Sequence, residues 1–260
     1  MALPILLSTS LAQAGDFDHR AWDELLKRNV VSIRQGQVTQ VDYGRFRVDA
    51  AKLQSYLIAT SAVSRRTFDA WSPDAQLAFL INVYNARTVE LVLTAFPNLE
   101  SIKELGTLFQ SAWKKRFVSL FGATRSLDEV EHDLIRGSGR YNDPRIHFAV
   151  NCASVGCPAL RPEAYTGERV NEQLENQTVK FLLDRSRNRL EGKTLRVSAI
   201  FSWYRKDFER GWNGINSLSA FLARYARALM LTTEQHGRLL AGEIDIEFLD
   251  YDWSLNDKRS

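Results

Sequence analysis

SPDAQLAFLINVYNARTVELVLTA, residues 72–95, is the stretch that decides the fold. Ser72 is a helix cap by residue type, and Pro73 suits the first helical position, where a missing N–H costs nothing. The helix that follows, to about Ala95, holds Leu77, Phe79, Leu80, Ile81, Val83, Tyr84, Val89, Leu91, Val92 and Leu93. These side chains cover nearly every face, as expected of a helix in the middle of a core. Asn82 and Asn85 interrupt it, one turn apart and so on one side. A buried amide needs hydrogen-bond partners. Either the pair fixes a neighbouring loop or it lines a substrate-binding site.

Working outward, apolar spacing predicts helices over Asp18–Val31, Ala50–Ala62 and Arg169–Asp184, with further helices opening at Ser217 and Thr233. Ser126-Leu127-Asp128-Glu129 is a capping box opening a helix to Arg136, which carries Glu131 and His132. Thr194–Ser198 and Ile244–Leu249 alternate as strands do. With one more strand expected near residue 147, the reading is α+β: a helix-rich single domain, residues 15–260, around a small and mainly antiparallel sheet. A papain- or transglutaminase-like arrangement is the form considered for it.

That third strand is expected in RIHFAVNCASVGCP, residues 145–158, which contains both cysteines of the chain and one of its four histidines. It reads as an apolar strand running into a turn of small residues, closed by Pro158. A strand delivering a thiol to a turn places a reactive group where a substrate reaches it. His147 precedes Cys152 by five positions, so an unbroken strand would put them on opposite faces. They meet only if the chain turns near Asn151.

Composition narrows the function classes. Of the 260 residues 45% are hydrophobic, enough for a core, and the net charge of +3 is scattered, which argues against a nucleic-acid partner. Residues 1–14, MALPILLSTSLAQA, join an apolar run to Ala12-Gln13-Ala14, the small-x-small pattern of a signal-peptide cleavage site. No Lys or Arg precedes the run, which points to a late-placed start codon or an upstream truncation. The expectation is export to a periplasm-like or extracellular space, with cleavage after Ala14 and no stable membrane insertion. In an oxidising compartment Cys152 and Cys157 are close enough across a turn for a disulfide. So short a loop gains little chain entropy, so a bridge there would be functional or protective.

No paired-ligand spacing indicates a metal, and no glycine-rich phosphate loop is present, so no cofactor is expected. What remains is a thiol with candidate bases. A cysteine nucleophile needs its proton removed, and its histidine needs an orienting group. His147 is the candidate base and His132 the second. Glu131, Asp250 and Asp252 are the candidate orienting carboxylates.

Several stretches together resemble the domain of unknown function family 547, found in many bacteria and in plant proteins. They are FLINVYNA (79–86), SLDEVEH (126–132), IHFAVNC (146–152) with GCP (156–158), IFSWY (200–204) with Asp207-Phe208, and YDWSLN (251–256). They occur in the family's order and cover roughly residues 40–256. The resemblance implies that plant members share His147 and Cys152 but often lack a match for Cys157. That speaks against an obligatory Cys152–Cys157 disulfide and makes the Cys152 thiol the more central group. The leading expectation is a thiol-dependent acyl-transfer enzyme, such as a peptidase, amidase or transglutaminase-like protein, acting on a small molecule or peptide. Cys152 would be the nucleophile, His147 the base and Glu131 or Asp252 the orienting group. Asn82, Asn85, Asn151 and Ser154 would line the substrate site, the asparagines or turn amides stabilising an oxyanion. Two alternatives stand beside it: a non-catalytic binding scaffold whose polar cluster holds a loop, and thiol–disulfide exchange between Cys152 and Cys157. In papain-like enzymes the cysteine comes before the histidine, so the order here would require a permuted arrangement.

Overall fold

A computed structural model describes residues 15–107 and 110–258. The expected signal peptide and its cleavage site lie outside the described residues. The N-terminal part runs α1 (Arg20–Asn29), the hairpin β1 (Val30–Ile33) and β2 (Val38–Val41), then α2 (Tyr43–Val48), α3 (Ala50–Ser61), α4 (Arg65–Asp69) and α5 (Pro73–Leu93). Ser72 caps α5 with its side chain, accepting from the Ala75 amide, and every residue from Ala75 to Val89 is buried. A helix apolar on all sides is stable only when surrounded, and α1, α2 and α3 pack around it.

A second hairpin, β3 (Arg116–Leu120) with β4 (Ala123–Ser126), leads into a π-helical segment, Glu129–Arg136. The Ser126–Glu129 capping box is present in both directions, at 2.6 and 3.1 Å. The wider helical turn ends where the Gly137 amide bonds the His132 carbonyl five residues back, at 2.7 Å. Then follow α6 (Val170–Leu183), β5 (Arg189–Glu191), β6 (Thr194–Ser198), α7 (Ile200–Trp203), α8 (Arg205–Phe208), α9 (Leu218–Arg224), α10 (Thr233–Leu240) and β7 (Asp245–Leu249). β5 pairs antiparallel with β6, and β6 pairs parallel with β7. The domain is α+β as expected, but its strands form three small sheets among the described residues and not one.

The expected strand at 146–150 is absent. Pro144–Phe148 is instead a turn of 3₁₀ helix. Asp143 accepts the Arg145 amide at 2.9 Å and Pro144 occupies the first helical position, so this dipeptide starts a helical turn just as Ser72-Pro73 does. Among the described residues no strand pairs with it.

Two apolar cores meet at this segment. Ile146 and Ala149 belong to the core around α5, whereas Phe148 belongs to a second core with Phe181, Phe201, Phe208 and Phe221. The last residues tie the loop that follows this segment to α2. Asn256 accepts from the Tyr43 hydroxyl at 2.8 Å, and its amide bonds the Ala153 carbonyl at 3.0 Å.

His19, at the start of α1, is buried with its Nδ1 2.8 Å from the Tyr56 hydroxyl. Burial pushes its pKa down to about 3, against a small opposing pull from Asp18. The folded state therefore keeps His19 neutral while the unfolded chain takes up a proton below its ordinary value of 6.5, so stability is lost as pH falls. At pH 5.5 the unfolded chain gains about 1.4 kcal/mol from this one group. Urea unfolding at pH 8 and pH 5.5 should show this loss in the native sequence. In His19→Gln the loss should shrink by roughly that amount; an unchanged pH dependence would refute the assignment.

Candidate active site

Asn82 and Asn85 set the geometry. Asn82 donates to the Tyr165 carbonyl at 2.7 Å and accepts the Tyr165 amide at 3.0 Å. Asn85 donates to the Ala149 carbonyl at 2.9 Å and accepts the Asn151 amide at 2.8 Å. Each amide thus engages the loop backbone as the edge of a strand would. Asn151 continues the pattern by donating to the Pro158 carbonyl at 2.7 Å and accepting the Ala153 amide at 3.0 Å. On the far side of the loop, Arg187 donates to the Cys157 and Val155 carbonyls at 2.5 and 2.7 Å.

Between these clamps the chain turns sharply at Cys152. Ala153 has φ of +62°, a left-handed conformation that costs a non-glycine residue about 1–2 kcal/mol. Gly156 is required for a different reason. Its amide bonds the Asp252 carbonyl at 2.8 Å, and a Cβ there would lie 2.9 Å from the Asp252 carbonyl oxygen and 3.0 Å from the Tyr251 ring. The close approach brings Tyr251 to Cys152.

Cys152 is half-buried and Cys157 buried; both are free thiols, with their sulfurs 2.8 Å apart. The Tyr251 hydroxyl is 3.0 Å from the Cys152 sulfur and Ser154 Oγ is 3.6 Å away. Burial pushes the Cys152 thiol up, but hydrogen bonds from Cys157, Tyr251 and Ser154 outweigh it and hold the thiol below its ordinary value. Burial, then the neighbouring sulfur, pushes Cys157 well above its ordinary value, and burial followed by the two sulfurs does the same to Tyr251. Both neighbours therefore stay protonated and act as donors to a thiolate at Cys152.

His147 is bonded through Nε2 to Asp207 at 2.9 Å, and its ring stacks on Tyr204 at 3.9 Å between centroids. Burial works against ionised Asp207, yet His147 and Arg136 hold its carboxyl below the usual carboxylate range. A carboxylate only accepts, so Nε2 carries the proton and Nδ1 has a free lone pair. Nδ1 is buried and has no hydrogen-bond partner among the described residues. Burial, opposed by Asp207 and Glu131, lowers the His147 pKa and keeps the ring neutral. Asp207 is also bonded by Arg136 at 2.6 Å, and Arg136 reaches His132 Nδ1 at 2.6 Å.

His147 and Cys152 both line a cavity of about 170 Å³, together with Cys157, Glu131, His132, Tyr84, Tyr204 and Tyr251. Trp113, Trp203 and Trp253 form its rim. A cavity of about 150 Å³ accommodates a benzene ring, so the space suits a small group of a larger molecule. No hydrogen bond joins His147 to Cys152 among the described residues. A proton would pass between them through a molecule bound in the cavity.

The structure thus brings Cys152, His147 and Glu131 to one cavity but places Asn82, Asn85, Asn151 and Ser154 outside its lining. The three asparagines hold the loop, each Nδ2 donating to one of its carbonyls. The turn amides fare no better as oxyanion donors: those of Cys152, Ala153, Val155, Gly156 and Cys157 all bond within the protein. The carboxylate on His147 is Asp207, whereas Glu131 lies beside Tyr204 and exposed Asp250 and Asp252 border a different cavity. Asp207 and Tyr251 went unassigned in the sequence because 60 and 99 residues separate them from their partners, and no spacing rule reaches so far.

Asn85→Ala would leave the Ala149 carbonyl and Asn151 amide buried without partners. At about 1–3 kcal/mol each, the expected loss is roughly 2–4 kcal/mol of stability, readable as a lower urea midpoint at unchanged slope. A loss under about 0.5 kcal/mol would mean that the clamp does not hold the loop.

Residues 68–182 match the model of a family described as "Protein of unknown function, DUF547". No curated protein and no solved structure matches the chain. The matched span includes α5, Glu131, His147 and both cysteines, and ends before Tyr204, Asp207 and Tyr251. That match agrees with the family resemblance of the motifs in the sequence.

Proposed function

We propose that the cavity is the active site of a thiol-dependent acyl-transfer enzyme, with Cys152 as nucleophile and His147 as general base. One observation carries this reading. A half-buried thiol, bonded to neighbours that stay protonated, shares a cavity with a neutral histidine whose tautomer is fixed by Asp207. That is the division of labour a nucleophile, base and orienting carboxylate require.

In the step proposed, the thiol proton passes through a water or substrate group bound in the cavity to His147 Nδ1 as the Cys152 sulfur bonds the carbonyl carbon. The carbonyl π pair moves onto oxygen, and the Tyr251 hydroxyl is the donor nearest the reacting centre. Collapse of the intermediate expels an amine or alkoxide, which leaves with the proton from His147, and a thioester remains on Cys152. Water or an acceptor amine then gives its proton to His147, attacks the thioester and releases the thiol. The order His147, Cys152, Asp207 along the chain differs from that of papain-like enzymes, so a papain- or transglutaminase-like form belongs to the proposal in a permuted sense only.

The test is acylation by p-nitrophenyl acetate, followed by mass spectrometry of the peptide containing Cys152 and Cys157. Acetyl is expected on Cys152 of the folded protein, with the rate falling about 10²-fold or more in His147→Ala. The rate should also drop roughly tenfold in Tyr251→Phe, as the loss of a hydrogen bond to a charged sulfur implies. Acylation that appears only after unfolding would sink the reading.

A second reading, thiol–disulfide exchange, is favoured by the 2.8 Å between the sulfurs. It would show as iodoacetamide labelling of Cys152 only after reductant.

Export to the periplasm or the medium is proposed with the acyl-transfer reading, supported by the apolar run before Ala12-Gln13-Ala14. Expression behind the native N-terminus should give a secreted or periplasmic product whose first residue is Gly15. A cytosolic product retaining residues 1–14 would exclude it.

A further inference from the structure

The charge and shape of the cavity point to one class of ligand group. Glu131 is 6% exposed, lines the cavity and presents Oε1 with no hydrogen-bond partner among the described residues. Its neighbour Tyr204 is pushed well above its ordinary pKa by burial, then by the Glu131 charge and a hydrogen bond with that carboxylate, so this phenol stays a neutral donor and cannot replace a cation. Asp128 adds a second carboxylate to the lining. The guanidinium of Arg136 is taken up by Asp207 and His132 at 2.6 Å each. A buried carboxylate oxygen without a partner is costly, and the cost is removed by a ligand that supplies a donor and positive charge.

The rim agrees. Trp203, which is 49% exposed, stacks on Trp253 at 5.6 Å and lies 4.8 Å from Tyr251. The ring faces carry negative potential and attract cations. One cation already uses this property: Lys103 Nζ sits 4.8 Å from the centre of the Trp253 ring.

We propose that the cavity binds a small ammonium group, with Glu131 as its counterion and Trp203 at its entrance. Resting on the acyl-transfer reading, this makes the substrate an amine-bearing acyl compound, such as a peptide or amide with a cationic end. Glu131 then recognises substrate instead of orienting His147, a task that Asp207 already performs.

Binding is tested without turnover, on Cys152→Ala protein, so that failure of the nucleophile and failure of cation recognition give separate results. The probes are n-butylammonium, n-butanol and butyrate, followed by the indole N–H shifts of the tryptophans in heteronuclear NMR. The expected result is saturable binding of n-butylammonium, at least tenfold tighter than either other probe. Adding the near-isosteric Glu131→Gln should weaken it about tenfold or more, and adding Trp203→Ala, at an exposed position, should weaken it several-fold. Equal binding of the three probes, no binding of any, or undiminished binding in Glu131→Gln protein that melts as the parent does would each overturn the proposal. If Glu131→Gln fails to fold, the comparison of probes and the Trp203→Ala result decide it.

Discussion

The bidentate grip of Asn85 on the Ala149 carbonyl and Asn151 amide is the constraint on which the site depends. Helix α5 offers no free backbone groups along its length, because its own hydrogen bonds consume them. Only a side-chain amide, with one acceptor and two donors, lets the middle of a helix hold an irregular loop in a dry core. Asn82 does the same for Tyr165, one turn earlier and on the same side. Apolar residues at these two positions would pack acceptably against α5, but the loops carrying Cys152 and Tyr165 would have unpaired polar backbone in the interior. The polar interruptions in an otherwise apolar helix are what allow irregular chain to approach it.

Electrostatics inside the cavity follow from burial acting on groups of opposite type. Burial disfavours charge, so it raises Cys157, Tyr204 and Tyr251 and lowers His147. The consequence is that every neighbour of the Cys152 sulfur remains a donor while the histidine remains an acceptor. Cys152 alone moves the other way, because its hydrogen bonds with Cys157, Tyr251 and Ser154 outweigh burial. The same proximity that makes Cys157 a donor would make it the resolving thiol in disulfide exchange. The two readings differ in whether the Cys157 proton stays on sulfur.

Much of this was legible in the sequence. The capped apolar helix from Pro73, the Ser126–Glu129 capping box and the strand at 194–198 are local patterns, and local patterns are set by neighbours a few residues away. The segment 144–148 failed for an instructive reason: its apolar run reads as a strand, but Asp143-Pro144 is a helix start of the same kind as Ser72-Pro73. Hydrophobicity dominated where capping chemistry should have. The importance of Cys152 and His147 was visible because they are neighbours in sequence. The link from His147 to Asp207 is a tertiary event made by the packing of α8 against the second core. The same is true of Tyr251, which reaches Cys152 only because Gly156 admits the C-terminal stretch.

The remaining question is why so many unfavourable features converge at one cavity. Ala153 is left-handed, Glu131 Oε1 and His147 Nδ1 are buried without partners, and two thiols stand in contact. A loop held only for its shape needs none of these. A glycine at 153 would relieve the left-handed strain, and a glutamine at 131 would remove the buried charge while bringing donors of its own. Natural chains keep strain and unpaired polar atoms where something other than stability uses them. Unpaired buried atoms occur elsewhere too, at His19 Nε2, Trp22 Nε1 and the Tyr165 hydroxyl, so being unpaired does not by itself mark this cavity. What marks it is that two such groups, Glu131 Oε1 and His147 Nδ1, lie in one cavity with two thiols in contact, and that coincidence argues against a purely structural role for the cluster. It favours a site that completes its hydrogen bonds only when a substrate enters.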